Sequence, residues 1–473
     1  MRVLLITPYF PPQPAVASLR TYAFARAFAD AGDDVAVLTT AKRPDQTGWP
    51  ADAAGLEVIE IPYAAHPFAE RARRLSRRPP ISPSPPPSNV ASPPTAPSAP
   101  PPPSRLRRSA ENLRSRTGVY ASLRMPDLTD AWIRPAVDWA AASNRAWDIV
   151  ISSSGPYTAH LVALALIERR IATRWIADFR DLWIDNHLAR GLFPFTLRER
   201  RLHARCLSNV SAVTTVSTPL ADGLRRRLRR PEVPVEVIYN GFEPAETAKN
   251  AASPDAPDDH AAFNLVYTGT LYPEGQDPRP LLRAMADACH AEPDLANRVQ
   301  LHVAGQRDHL WKPLAEQAGV ARRLRLYGRL PVDEAHALQR AAHALLAVEW
   351  RDPAAGVLTG TVFEYLPRSA PILVVGGRCE PPPDLDPAAR DRPLDSADGP
   401  IGAFVESARR GLALGSDPAR IRNALLALLR NQPPNDPGLD LAGRFAPDPD
   451  RIAPYQRNRQ AARLRELAVS LIT

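Results

Sequence analysis

The residues best placed to do chemistry in this sequence are glycines, threonines and charged side chains that stand where short apolar runs end. Gly269 directly follows one such run, where a missing Cβ lets backbone come close to a phosphate or simply turns the chain. Thr359, Gly360 and Thr361 precede a helical stretch that carries Glu364. Such a start offers N–H groups to an anion, or serves as an ordinary helix cap. His160 lies two residues after Thr158, early in a helical stretch, a place open both to a half-buried cap partner and to a site histidine. Asp178, Arg180 and Asp181 gather two carboxylates and a guanidinium at the end of another apolar run; that set suits an internal ion pair or the binding of a polar acceptor.

These positions need elements to hold them. Apolar runs at residues 3–6, 35–38, 56–61, 148–152, 174–177, 212–216 and 235–238 predict strands, with helical spacing at Leu19, Tyr22, Ala23, Ala27 and Phe28 and again over 158–169. Strand, helix, strand order implies parallel pairing. After a polar, Pro- and Ala-rich stretch the pattern restarts, with strands at 263–267, 299–303, 324–327, 344–348 and 372–375 between helical segments at 279–290, 310–318, 333–340 and 362–366. The expected architecture is α/β: a Rossmann-like doubly wound unit at 1–242, a linker at 243–260, a second such unit at 261–440, and a helical segment at 441–473 that packs back across the junction. In such sheets ligands bind beyond the carboxyl ends of the strands, which selects the loops named above and the loop from Thr7 through Pro12 to Arg20.

Composition sets the outer bounds. A chain of 473 residues is too long for one ordinary core. Its 44% hydrophobic and 23% charged residues exclude a chain dominated by disorder. Many of its 53 prolines fall between Pro79 and Pro103, so 79–104 reads as a solvated, disordered, polyproline-like insertion. No apolar stretch reaches the roughly 18 residues of a membrane span, and the opening residues read as a strand rather than a signal peptide. Cys206, Cys289 and Cys379 fit neither a disulfide framework nor a metal pattern, and a cytoplasmic location is expected. The net charge of +8 and the clusters Arg71 to Arg78 and Arg105 to Arg108 suit a solvated surface or peripheral contact with an anionic membrane. Nucleic acid is not expected as a partner, since recognition motifs and interleaved aromatics are absent.

One family accounts for the blocks in order. TPYFPP, SLRTYAFARAF and VAVLTT, then ISSSGPYTAHLVAL, WIADFRDLW, VTTVSTPL and VIYNGFEP, resemble the N-terminal domain of GT-B glycosyltransferases of the large retaining family 4 type. VYTGTLY, VAGQ, YGRLP and GVLTGTVFEYLPRSAPILVV are similar to its nucleotide-binding domain. The resemblance implies transfer of a sugar from a nucleotide-diphosphate sugar to a glycan or lipid-linked acceptor, in cell-surface polysaccharide or glycolipid synthesis. It implies that Glu364 binds the donor ribose, that His160 touches the donor, and that Gly269, Thr270, Gly328, Arg329 and Thr359 to Thr361 form the donor side. Pro12, Arg20, Asp178, Arg180 and Asp181 would then belong to the acceptor side.

The sequence also departs from that family. Ala15, Val16 and Ala17 stand where members carry a glycine-rich loop, Gly356 replaces the first of two paired acids, and a usual basic pair near Thr270 gives way to Thr270 and Glu274. A leaving diphosphate needs positive charge or many N–H donors. Arg279, Arg307, Arg329 and Arg368 are the candidate replacements. No Asp-x-Asp pattern falls on a suitable loop, so transfer without a metal or a cofactor is expected. The losses also leave room for a catalytically silent nucleotide-sugar-binding scaffold, and the fold for a nucleotide-sugar epimerase.

Overall fold

The computed structural model of the chain describes residues 1–13, 15–43, 46, 55–63, 127, 129–184, 186, 194–243, 262–352, 356–377, 399–430, 445–446 and 448–473. The Pro-rich insertion, most of the expected linker, both arginine clusters and Cys379 lie outside these residues.

The apolar run at the start becomes β1 (Arg2–Ile6), whose Val3 to Ile6 are at most 1% exposed. Full burial of each such side chain contributes about 1.5–3 kcal/mol, which is why this run lies at the centre of a sheet rather than at its edge. Helix Val16–Ala29 follows and returns the chain to β2 (Asp34–Thr40), then β3 (Glu57–Ile61). The next strands are β4 (Trp147–Ser153), β5 (Ala172–Phe179), β6 (Ala212–Thr215) and β7 (Val235–Val237). They form one seven-stranded sheet in the order β3-β2-β1-β4-β5-β6-β7, with parallel pairs throughout.

The second half repeats the plan with β8 (Phe263–Thr268), β9 (Val299–Ala304), β10 (Leu324–Leu326), β11 (Ala344–Glu349), β12 (Ile372–Gly376) and β13 (Gly411–Gly415). Their order is β10-β9-β8-β11-β12-β13, again parallel. In each sheet the winding reverses beside the first strand, between β1 and β4 and between β8 and β11. The loops there diverge to opposite faces and leave a crevice, the usual place for a ligand in such sheets.

Two chain crossings join the halves side by side. Phe242 N–H donates to the Tyr455 carbonyl at 3.1 Å, and Arg457 N–H donates to the Phe242 carbonyl at 2.8 Å. Gly241, at φ +68°, permits this approach, because a Cβ there would lie 2.7 Å from the Tyr455 oxygen. After the second crossing, helix Arg457–Ser470 buries Ala461, Leu464 and Ala468 in the same cluster as Phe24 and Phe28 of the first half. The terminal helix therefore packs back across the junction, as the sequence leads one to expect.

Candidate active site

The two crevices face each other across a cavity of about 470 Å³. Its second-sheet wall comes from the loops after β8 and β11. Gly269 and Thr270 leave β8 directly, and Thr359, Gly360, Thr361 and Glu364 come from the start of helix Gly360–Tyr365. Gly269 has φ +149°, and a Cβ on it would meet the Thr361 hydroxyl at 3.3 Å, so a side chain here would be strained and would crowd the loop after β11. Arg180 and Asp181, just beyond β5, line the same cavity from the first sheet, together with Val16. A Cβ on Gly360 would stand 3.2 Å from Val16. The halves thus meet closely at the cavity rim.

Behind the wall a hydrogen-bonded chain holds Glu364. Arg368 Nε donates to Gln339 Oε1 at 3.0 Å; Gln339 Nε2 donates to Thr268 Oγ1 at 2.9 Å and to Glu364 Oε2 at 3.4 Å. Thr268 N–H donates to the Tyr365 hydroxyl oxygen at 2.8 Å, and burial raises the Tyr365 phenol well above its ordinary value. Glu364 is half-buried, with its carboxylate oriented from behind, an arrangement suited to accept hydrogen bonds from a diol.

Several expected site residues stand elsewhere. Arg368 is 1% exposed and acts within this supporting chain rather than on the cavity wall. Arg279 folds back on Asp277 at 2.6–3.0 Å, since a helix start leaves the two side by side. Arg307 covers Tyr272 at 5.5 Å, outside the wall itself, and Arg329 is exposed. Gly328 turns at φ +68°, donates its N–H to Asp308 Oδ2 at 2.6 Å and does not line the cavity. Among the described residues, none of the four arginines proposed to replace the basic pair lines the cavity.

On the first sheet, Arg20 and Asp178 form a buried ion pair instead of facing an acceptor. Arg20 Nε and Nη2 donate to the two Asp178 oxygens at 3.0 and 2.7 Å, and Ser153 and Thr214 hydroxyls donate at 2.7 and 2.8 Å. Burial alone would raise the Asp178 pKa, but Arg20 and the hydroxyls outweigh it and hold the carboxyl below its usual range. His160 is wholly buried, with Nδ1 2.7 Å from the Ser152 hydroxyl and its ring against Phe179 at 4.3 Å. Burial pulls its pKa down to about 3, so it is a neutral core residue and not a wall residue. Pro12 is half-buried beside the first strand loop and does not line the cavity.

Sequence reasoning passed over Tyr272, Gln276 and Trp350, which complete the second-sheet wall. Tyr272 and Trp350 stack with centroids 5.7 Å apart. The available signal is Gly275: a Cβ on it would lie 2.1 Å from the Trp350 ring, so the small residue makes room for the indole. Gly356, in the place of the missing acid, has φ +66°, and its Cβ would meet Pro219 at 3.0 Å and Leu220 at 3.2 Å. A residue with a side chain would be strained there. Its carbonyl accepts the Ser217 hydroxyl at 2.6 Å, so this position ties one half to the other. Among the described residues no helix is long and apolar enough to cross a membrane, and no three His, Cys, Asp or Glu side chains gather as a metal-binding group.

Comparisons with known proteins agree with this fold. Residues 17–241 match the family model of the glycosyl transferase 4-like domain. No curated protein sequence matches the chain. Among solved structures, the sucrose-phosphate synthase of Thermosynechococcus elongatus is similar at 14% identity and TM-score 0.58, over 99% of this chain and 98% of that one. Anabaena HepE in complex with UDP is similar at 12% identity and TM-score 0.55, over 99% and 100% of the two chains. WaaG, a glycosyltransferase involved in lipopolysaccharide biosynthesis, is similar at 15% identity and TM-score 0.50, over 100% and 99%. Residues 17–241 are therefore similar to a glycosyl transferase 4-like domain, and the chain as a whole has the two-domain GT-B fold.

Proposed function

We propose that the protein transfers a sugar from a nucleoside-diphosphate sugar to a glycan or lipid-linked acceptor, with retention at the anomeric carbon and without a metal, in the assembly of a surface polysaccharide or glycolipid. The observation that carries this reading is a cavity where the loops after β8 and β11, with Glu364, face the loop after β5. Its volume lies in the range of small-molecule sites. In this reading Glu364 accepts hydrogen bonds from the donor ribose, and N–H groups near Gly269, Thr270 and Thr359 to Thr361 contact the phosphates. HepE, a protein of the same fold, is known in complex with UDP, which supports a nucleotide as the ligand.

The acceptor hydroxyl attacks the anomeric carbon from the face that the diphosphate leaves. The bond from carbon to phosphate oxygen breaks as the new glycosidic bond forms, and the hydroxyl proton passes to the departing phosphate oxygen. Closure of the cleft excludes water, so the barrier falls mainly through positioning and electrostatic stabilisation of the leaving group. The test is a panel of nucleotide sugars incubated with purified protein and a lipid-linked acceptor extract. A sugar-bearing product with retained anomeric configuration supports the reading.

A second reading rests on one observation. Among the described residues the second-sheet wall carries no lysine or arginine, as in a nucleotide-sugar-binding scaffold that performs no transfer. Nucleotide binding without slow donor hydrolysis or transfer, over the same panel, would favour the scaffold.

A further inference from the structure

We propose that Arg180 is the cation that holds the donor diphosphate, supplied by the first sheet from across the cleft; this rests on the donor reading above and names the group that reading lacks. The charge on the described cavity wall is sparse. Arg180 is its one cationic side chain among the described residues, against the carboxylates of Asp181 and Glu364, and the other lining residues are uncharged. A phosphate pair carrying two or more negative charges in a low-dielectric cavity requires compensation that N–H groups supply only in part.

Arg180 is built into its place. Its Nε donates to the Ser154 carbonyl at 2.6 Å and its Nη2 to the Gly155 carbonyl at 2.7 Å, which fixes the plane of the guanidinium. Gly155 makes that position available: at φ +82°, with a Cβ that would lie 2.9 Å from Nη2, it leaves no space for a side chain. The guanidinium also stands 5.9 Å from the centre of the Tyr9 ring, in the loop after β1. All three supports are neutral groups, so they orient the cation without cancelling it.

That feature separates Arg180 from its neighbours. Arg20 is neutralised by Asp178 at 2.7 Å, and Arg279 and Arg351 share Asp277 at 2.6 and 3.2 Å. Among the described residues Arg180 forms no close ion pair; Asp181 and Asp178 act on it from further off and favour its charged form. Burial is the largest influence on it and disfavours the charged form, a cost that a bound anion offsets. A planar guanidinium held on one edge presents its other edge for paired hydrogen bonds, the geometry that suits phosphate oxygens. The role is one of leaving-group binding: the negative charge that develops on the departing phosphate oxygen as the glycosyl bond breaks adds to those already on the diphosphate and falls opposite a fixed positive one.

The test is calorimetric titration of the full chain with UDP, GDP and ADP, each beside its own nucleoside, for the unmodified protein, Arg180→Met, Arg180→Lys and Glu364→Ala. Arg180→Met is expected to weaken the bound diphosphate about ten- to a hundredfold, as for loss of a charged hydrogen-bond partner, while nucleoside affinity stays unchanged. Arg180→Lys recovers part of the loss, and thermal melts verify that each variant folds; if the Met variant does not fold, the Lys variant must still lose affinity for the diphosphate selectively. Glu364→Ala weakens nucleoside and diphosphate alike. Diphosphate binding unchanged in both Arg180 variants while Glu364→Ala weakens it overturns the role of Arg180 and leaves the donor reading standing. No binding of any nucleotide by the unmodified protein overturns the donor reading and the inference together.

Discussion

Replacing Asp178 by Asn tests whether the Arg20–Asp178 pair is structural or belongs to acceptor binding. Asp178 accepts four side-chain hydrogen bonds, two of them from Arg20, and ties helix Val16–Ala29 to β4, β5 and β6. Arg20 is itself 1% exposed, and its Nη1 donates to the Tyr239 carbonyl at 2.9 Å. Asn keeps the shape but leaves the guanidinium buried without its counter-charge, which costs about 3–5 kcal/mol. Against a typical stability of about 5–15 kcal/mol that is a large fraction, and at about 2–4 °C per kcal/mol the melting temperature should fall by roughly 6–20 °C. Calorimetric melting reads the shift. Removing both charges, as in Arg20→Met with Asp178→Leu, should recover part of the loss. The pH dependence has a fixed sign: the folded pKa of Asp178 is depressed, so its contribution is complete above about pH 4, the unfolded value, and is lost as pH falls below it. An Asp178→Asn protein that melts like the unmodified one, yet binds acceptor poorly, would refute this reasoning and return both residues to the acceptor side.

Two further outcomes follow from single positions. Gly356→Ala should destabilise by about 1–2 kcal/mol, the strain of a left-handed backbone, and Gly356→Glu should lose more without raising turnover, because Pro219 and Leu220 occupy the space; melting curves and donor-panel rates read both, and a more active Glu variant would show the site open. His160 has a folded pKa near 3 against about 6.5 unfolded, so its stabilising effect is present above pH 6.5 and lost progressively as pH falls towards 3. His160→Gln should flatten the fall in stability over that window relative to the unmodified protein, a comparison in which the opposite trend of Glu349, pushed up to about 7 by burial, cancels.

The fold was legible where burial on both faces forces continuous apolar runs. β1, β2, β8 and β12 are of that kind, and their observed limits differ from the sequence reading by one or two residues. β13, Gly-Leu-Ala-Leu-Gly, escaped because two glycines bracket a run of three and mimic a turn. Of the site, the second-sheet wall of the cavity was legible because Gly269 and Thr270 lie at the end of β8 and Thr359 to Thr361 and Glu364 lie at the start of a helix, both local features. The first-sheet candidates were not separable. Arg20 meets Asp178 across 158 positions, and His160 is sealed by Phe179 from the next strand, so which guanidinium is cancelled and which is left to act is decided only by packing. Arg180 and Arg20 look alike in sequence; the difference lies in whether carbonyls or a carboxylate receive them.

The central claim is that a nucleotide occupies the cavity between the two sheets with its ribose on Glu364. Titration of the unmodified protein and of Glu364→Ala with nucleoside diphosphates tests it directly. Saturable binding that weakens by about 1.5–3 kcal/mol in the variant, with an unchanged melting temperature, is the predicted result. Affinity that stays the same while the melting temperature of Glu364→Ala drops would contradict it, and would reduce Glu364 to a partner of Gln339 in the wall.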